Sequence, residues 1–468
     1  MARRSVTIDD LYELKIVDEP CVDPAGVRVA FTVTALDREA DEYRSQIWIW
    51  DSRGGGLIRL TSGEHRDSRP QWSPDGSQIA FISKREDADD ARPQIHLISV
   101  HGGEPEQLTR VEFGVDAFEW SPDGSRMLFV SSTPEREERD TDVRLITTAR
   151  FRGDGSGYYD DRFKQIYVLD VATRRIRQLT EGPFDHVQAT WTPGGNEIAF
   201  VSNRSEGWEF SQVRDIYLVK AESGIVRRLT DGSGQWSLPS WSSDGSQLVA
   251  YGTRRLDSGS PRNELFRISL TGAQPESLTS DLDVDFRDAS ISDWNGYPFG
   301  PAVWIGDDEL LTVASVRGLV RPVTLDMESG NLQYRAPEAG RFGNPRPLHD
   351  GTLVATYTDF VQPGELVQLR PDGSFEQLTH FNDQWLDEVE LSMPERLDVT
   401  SPDGIEVSGW LLRPPGLDED EAAPLLLEIH GGPFGMYADT FMHEFHLLAA
   451  QGYAVLFMNP RGFGRPRR

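Results

Sequence analysis

The chain has 468 residues with 47 basic and 76 acidic side chains, 38% hydrophobic residues, 12 Trp and one Cys. That length needs at least two core-building units or one large repeat array, and an aromatic share of 10% excludes a disordered chain. A formal net charge of −29 repels a phosphate backbone and argues against nucleic-acid binding.

No apolar run approaches the roughly 20 residues that span a bilayer. The start, Met1-Ala-Arg-Arg-Ser-Val-Thr-Ile-Asp-Asp, lacks the apolar core of a signal peptide. A soluble cytoplasmic protein without membrane contact is predicted. Only Lys15, Lys84, Lys164 and Lys220 are lysines. Excess carboxylate with so little Lys matches a halophilic surface, kept hydrated at high salt. The lone Cys21 excludes an internal disulfide and a cysteine zinc cage, and reads as a small buried apolar side chain.

After an N-terminal segment, residues 1–18, one motif recurs. Its clear copies are Trp72-Ser-Pro-Asp-Gly-Ser-Gln-Ile-Ala-Phe, Trp120-Ser-Pro-Asp-Gly-Ser-Arg-Met-Leu-Phe, Trp191-Thr-Pro-Gly-Gly-Asn-Glu-Ile-Ala-Phe and Trp241-Ser-Ser-Asp-Gly-Ser-Gln-Leu-Val-Ala. Weaker copies begin at Val22, Trp304 and Leu348, which makes seven. Pro pre-sets φ, Asp bonds the backbone ahead of it, and Gly takes the positive φ that closes a hairpin. The Trp before each turn supplies a packing plate rather than a cofactor box. Alternating strands such as Gln94-Ile-His-Leu-Ile-Ser-Val follow, and most copies close in Leu-Thr, at Thr61, Thr109, Thr180, Thr230, Thr279 and Thr379. About four strands per unit of roughly 50 residues bury both faces of every small sheet only when arranged radially. Residues 19–385 are therefore predicted to form an all-β seven-bladed β-propeller.

The third repeat carries about thirty extra residues, and an insertion on one face of a repeat array is often where contact occurs. It opens with the charged run Pro134-Glu-Arg-Glu-Glu-Arg-Asp and continues Arg150-Phe-Arg-Gly-Asp-Gly-Ser-Gly-Tyr. This Gly-rich part lacks the Gly-Lys-Ser/Thr of a phosphate loop. The insert is a candidate for touching a neighbouring domain.

From residue 386 to 468 the character changes. Arg396 to Thr400 and Ile405 to Arg413 flank a Ser401-Pro-Asp-Gly turn, and Pro414-Pro-Gly-Leu-Asp-Glu-Asp-Glu is a surface loop. Leu425-Leu-Leu-Glu-Ile-His reads as a strand buried on both faces of a sheet. It runs into His430-Gly431-Gly432-Pro433, then a helix over roughly 439–451, the strand Ala454-Val-Leu-Phe-Met and the turn Asn459-Pro-Arg-Gly. Strand, Gly-rich turn, helix, strand is the opening of an α/β sheet. Glycines at the end of such a strand let a backbone N–H face open space, where it can stabilise an oxyanion.

The order of parts, with the Pro-Pro-Gly linker, His-Gly-Gly-Pro and Asn-Pro-Arg-Gly, resembles the prolyl oligopeptidase family of serine peptidases. Its acylaminoacyl-peptidase and dipeptidyl-aminopeptidase branch is the nearest likeness, and the insert Ile146-Thr-Thr-Ala-Arg-Phe-Arg-Gly-Asp-Gly-Ser-Gly-Tyr is similar to a propeller segment of that branch. The resemblance implies hydrolysis of short peptides by a Ser, His and Asp triad behind a filtering propeller, with no cofactor. Gly432 then provides an oxyanion-hole N–H, and His430, Gly431 and Pro433 support the turn.

One departure stands out. No Ser follows Ser408, so the Gly-x-Ser-x-Gly nucleophile elbow is missing, and the tail Phe463-Gly-Arg-Pro-Arg-Arg replaces the family's continuation. The expectation is a truncated α/β-hydrolase start, from a shifted frame or split gene, with no catalytic residue and no activity alone. Alternatives are a TolB-like propeller that binds peptides or proteins, and a chain completed by a separately encoded C-terminal hydrolase half. His443 and His446 lie three apart but do not form His-Glu-x-x-His, so no metal is expected. Asn203-Arg-Ser reads as a surface turn rather than a glycosylation site, and Ser73 and Ser121 read as structural turn residues.

Overall fold

The computed structural model describes residues 3–85, 91–134, 143, 145–153, 157–159, 162–256, 262–293, 299–402, 404–418, 420–431 and 435–460. The chain divides into two compact units, Arg69–Thr279 and Met1–Ser68 with Ser280–Arg468. Strands dominate both.

The Arg69–Thr279 unit is built from four-stranded antiparallel sheets whose strands follow chain order or nearly so. A representative one comprises His186–Trp191, Glu197–Ser202, Asp215–Lys220 and Val226–Arg228. The recurrent turn forms as its chemistry dictates. Ser121 Oγ donates to Asp123 Oδ1 at 2.6 Å, the Ser125 N–H donates to the same oxygen at 3.1 Å, and Gly124 takes φ +70°. Ser73 is bound into its turn in the same way. The Trp residues pack between successive sheets: Trp191 is buried against Leu128, Ile166 and Ile198, and its indole N–H donates to the Glu119 carbonyl of the preceding sheet.

The Leu-Thr endings have a role that spacing alone does not reveal. Each Thr Oγ1 accepts a backbone N–H of the third strand: Thr61 from Ile47, Thr109 from Ile95, Thr180 from Ile166, Thr230 from Ile216, Thr279 from Leu265 and Thr379 from Leu366, all at 2.9–3.0 Å. Four of these hydroxyls then donate to the side chain one residue earlier in that strand, Gln94, Gln165, Asp215 or Glu365. A buried hydroxyl that closes the ladder leaves no main-chain donor orphaned where the sheet ends.

In the third repeat's insert, Arg152–Gly153 pairs with Gly157–Tyr158. Arg150 stacks over Tyr159 at 4.0 Å and bridges to Asp185 at 2.8 Å. Most of the charged run, residues 135–140, lies outside the described residues. Asn203 is engaged within its own loop, donating to the carbonyls of Trp208 and Ser211.

The other unit begins with the meander Ile16–Val22, Arg28–Asp37, Glu42–Asp51 and Gly56–Arg59. Its core, with Val17, Val29, Phe31 and Val33, packs against Leu348, Val354 and Leu366 from far along the chain. Cys21 is only partly buried, because it sits where the first strand bulges between Asp18 and its partner row. Two further meanders, Val303–Ile305 to Leu332–Tyr334 and Arg341–Pro347 to Phe375–Gln377, are joined by one parallel pairing of Val320 with Arg341. Helix α1 (Asp383–Glu388) follows.

The final residues form a mixed sheet of β1 (Glu395–Thr400), β2 (Glu406–Leu412), β3 (Leu425–Glu428) and β4 (Ala454–Met458), in the order β1-β2-β4-β3. β2 is antiparallel to β1 and β4, and β3 is parallel to β4. Helix α2 (His443–Ala450) covers one face through Phe445 and Ala449, which pack on Trp410, Val455 and Phe457. It is shorter than the sequence pattern suggests, because the N–H groups of Asp439 and Phe441 are taken by the Gly318 carbonyl and Thr358 Oγ1 and that of Thr440 by the Ala438 carbonyl. The expected two-faced burial of the Leu425 strand is not seen. β3 is the outermost strand, and Leu425, Leu427 and Ile429 are 57%, 53% and 77% exposed.

Candidate functional site

Both predicted turn residues that can be placed lie just past β3. His430 turns its Nδ1 toward the Gly431 carbonyl at 2.7 Å and packs edge-on against the Tyr437 ring at 4.9 Å. A Cβ on Gly431 would meet no atom within 4 Å, so the backbone here borders open space, as an oxyanion donor requires. Gly432 and Pro433, the predicted oxyanion donor and its neighbour, lie outside the described residues.

The segment from Gly435 onward is firmly held. Met436 and Tyr437 pair in parallel with Ser290 and Ile291, and the Met436 N–H donates to the Ala289 carbonyl at 2.8 Å. Gly435 permits that approach, since a Cβ there would lie 2.7 Å from the Ile291 side chain. Asp439 donates its N–H to the Gly318 carbonyl at 2.7 Å, and its carboxylate accepts the N–H groups of Gly340 at 2.8 Å and Phe360 at 3.1 Å. The Phe441 N–H donates to Thr358 Oγ1 at 3.2 Å. Burial, with the Asp359 charge adding to it against the two N–H bonds, raises the Asp439 carboxyl to about 6.

Asn459 closes the arrangement from the end of β4. Its buried carboxamide accepts the Tyr437 N–H at 2.7 Å and donates to the Tyr437 carbonyl at 2.8 Å. One side chain thereby replaces a strand neighbour for Tyr437, whose ring in turn backs His430. Asn459 was visible in sequence only as the head of a turn string, and the strand Ser290–Ile291 carried no sequence signal at all.

The remaining candidates are structural. His443 Nε2 donates to the Thr7 carbonyl at 3.0 Å and His446 Nε2 to the Phe360 carbonyl at 2.7 Å. Two imidazoles committed to separate carbonyls do not converge on an ion. Burial pushes the His446 imidazole down to about 4, against the bond to the Phe360 carbonyl, which favours the protonated ring. Among the described residues no group of three His, Cys, Asp or Glu could hold a metal, and no helix is long and apolar enough to cross a membrane. Ser408, the last serine, donates to Asp398 Oδ1 at 2.7 Å and accepts from Arg396.

Comparison with known proteins places this geometry. The TolB β-propeller family model matches residues 15–150. The chain is 32% identical over 480 residues to an uncharacterized peptidase, YuxL, of Bacillus subtilis, covering 98% of this chain and 71% of that protein. It is 24% identical over 481 residues to dipeptidyl-peptidase 5 of Porphyromonas gingivalis, covering 96% of this chain and 67% of that protein. Among solved structures it is similar to an acylaminoacyl peptidase of Pyrococcus horikoshii, with a TM-score of 0.80 and 21% identity over 98% of this chain and 68% of that one. A puromycin-hydrolyzing peptidase of Mycobacterium tuberculosis aligns with a TM-score of 0.71 and 17% identity, covering 99% of this chain and 70% of that one. A propeller-type repeat array, a strand that runs into His430 and Gly431, and a relative matched along nearly the whole chain converge on one conclusion: the chain belongs to the prolyl oligopeptidase family of serine peptidases.

Proposed function

We propose that this chain forms a seven-bladed propeller and the oxyanion side of a peptidase domain that cleaves short peptides by acyl transfer to serine. The observation that carries the reading is the sheet order β1-β2-β4-β3, with β3 and β4 parallel and His430-Gly431 at the end of β3. A crossed order of this kind suits the first half of an α/β-hydrolase sheet, in which the turn after the third strand provides an oxyanion donor. Gly432 supplies that N–H, and Tyr437, Asn459 and the strand Ser290–Ile291 hold the turn in place.

The nucleophile, base and orienting acid are supplied by residues not in this sequence, since no Ser follows Ser408. An oxyanion donor without a nucleophile gives only weak residual catalysis, so this stretch alone is inactive. A C-terminal hydrolase half completes it. The open, apolar edge of β3 fits such a partner, because an unpaired edge with Leu425 and Leu427 exposed invites another strand. Short peptides are the substrates, the acidic surface suits a salt-rich cytoplasm, and no cofactor takes part.

The test joins sequence and assay. Reading the DNA beyond codon 468 in all three frames should reveal Gly-x-Ser-x-Gly followed by Asp and His. Expressing the chain with that segment should give turnover of acyl-amino-acid and aminoacyl chromogenic substrates that a serine-directed phosphonate abolishes. Phosphonate-sensitive turnover by the present chain alone would overturn the assignment of the nucleophile. A second reading, a TolB-like propeller that only binds peptides or proteins, is favoured by the match at residues 15–150; it would prevail if no frame encoded the elbow.

A further inference from the structure

A cavity of about 330 Å³ opens in the Met1–Ser68 and Ser280–Arg468 unit and is lined by Lys15, Asp37, Arg44, Gln46, Trp48 and Phe381 among others. The volume falls at the lower end of the roughly 300–1,000 Å³ typical of small-molecule sites. One corner is aromatic and rigid. Trp48 and Phe381 meet edge to face with centroids 5.1 Å apart, and Phe381 is backed by the fully buried Phe31.

Of the charged groups on the lining, Arg44 pairs with Asp37 at 3.0 Å, so the lining itself carries one net positive charge, that of Lys15. Lys15 Nζ contacts the Glu13 carbonyl at 3.1 Å, and the Glu13 carboxylate, which is not part of the lining, is the acidic group that acts on it. Its backbone is clamped, because Asn382 accepts the Lys15 N–H at 2.9 Å and donates to the Lys15 carbonyl at 3.0 Å. Burial lowers the ammonium's affinity for its proton, so an anion beside it would be stabilised more than in water. Gln46 adds another donor. Its Oε1 is taken by the Trp48 indole N–H at 3.1 Å, and Gly63, with φ +84°, leaves the space into which the Gln46 amide nitrogen fits, 2.5 Å from where a Cβ would stand.

A net-positive pocket of this kind is anomalous in a chain whose formal charge is −29. We infer that this cavity is a binding site for a small aromatic monocarboxylate, with the carboxylate between Lys15 and the Gln46 amide and the ring in the Trp48–Phe381 corner. Arg44, held by Asp37, borders the anion without being free to leave its own partner.

Calorimetric titration of the purified full chain with 3-phenylpropionate tests it, against 3-phenylpropanamide and acetate as probes lacking the charge and the ring. Saturable one-to-one binding with Kd below about 1 mM is expected, with both control probes weaker by about tenfold or more. Lys15→Gln should weaken the acid about tenfold while leaving the amide unchanged, and Lys15→Arg should restore most of the loss. The comparison of acid with amide uses the unaltered protein, so a misfolded variant cannot obscure it. Equal binding of acid and amide, equal binding of acetate, or no saturable heat would overturn the proposal.

Discussion

Removing the Asn459 carboxamide should loosen the whole approach to the His430 turn. In Asn459→Ala the Tyr437 N–H and carbonyl both lose their partners at a position only 5% exposed. Leaving a buried backbone donor or acceptor unsatisfied costs about 1–3 kcal/mol each, so about 2–6 kcal/mol is at stake. Tyr437 is also paired with Ile291, so the loss is felt first as local opening. Native-state hydrogen exchange at the Tyr437 amide reads this directly, and the lower figure corresponds to a rise of about thirtyfold in exchange rate. Asn459→Asp makes the reasoning sharper. Its carboxylate still accepts the Tyr437 N–H but sets an oxygen against the Tyr437 carbonyl, and only the protonated acid can donate there. Protection in that variant should therefore recover as pH falls from about 7 to about 4. Exchange within about threefold of the parent in Asn459→Ala would refute the claim that this side chain stands in for a strand.

Two further outcomes test the packing around the site. Asp439 has its carboxyl raised from 3.8 to about 6, so the folded state binds the proton more tightly than the unfolded chain. Its cost is absent below the lower value, grows as pH rises through this window, and then stays constant at up to about 3 kcal/mol; Asp439→Asn should flatten that part of the stability profile measured by denaturant unfolding, and an unchanged slope would count against it. Thr230→Val keeps the volume but deletes the hydroxyl that accepts from Ile216 at 3.0 Å and donates to Asp215 at 2.6 Å; unfolding should show a loss of about 1–3 kcal/mol, and a midpoint that does not move would remove the role assigned to the Leu-Thr endings.

The repeat was legible because its turn is local chemistry. Ser121, Asp123 and Gly124 decide their hairpin within five residues, and the Trp before it must be buried wherever the next sheet lies. The Leu-Thr endings were visible as a pattern but not as a device, since Thr109 acts on Ile95 across a strand pair that spacing does not specify. His430 and Gly431 stand out in the sequence for the same local reason. Asn459, Asp439 and Gly435 were not, because each works through a contact made more than twenty residues away, to Tyr437, Gly340 and Ile291. The Leu425 strand misled in one respect: apolar continuity reports that a surface must be covered, without saying what covers it.

The core that joins Val17, Val29 and Val33 to Leu348, Val354 and Leu366 also sets a timetable for biosynthesis. The first sheet emerges from the ribosome about 330 residues before the last of its packing partners, a wait of roughly 15–70 s at common elongation rates. Through that interval a nascent chain carries an uncovered apolar face, and loop closure over so long a span is slow in itself. Chaperone demand should therefore be greatest for ribosomes stalled before Leu348 and fall once Leu366 has cleared the exit tunnel.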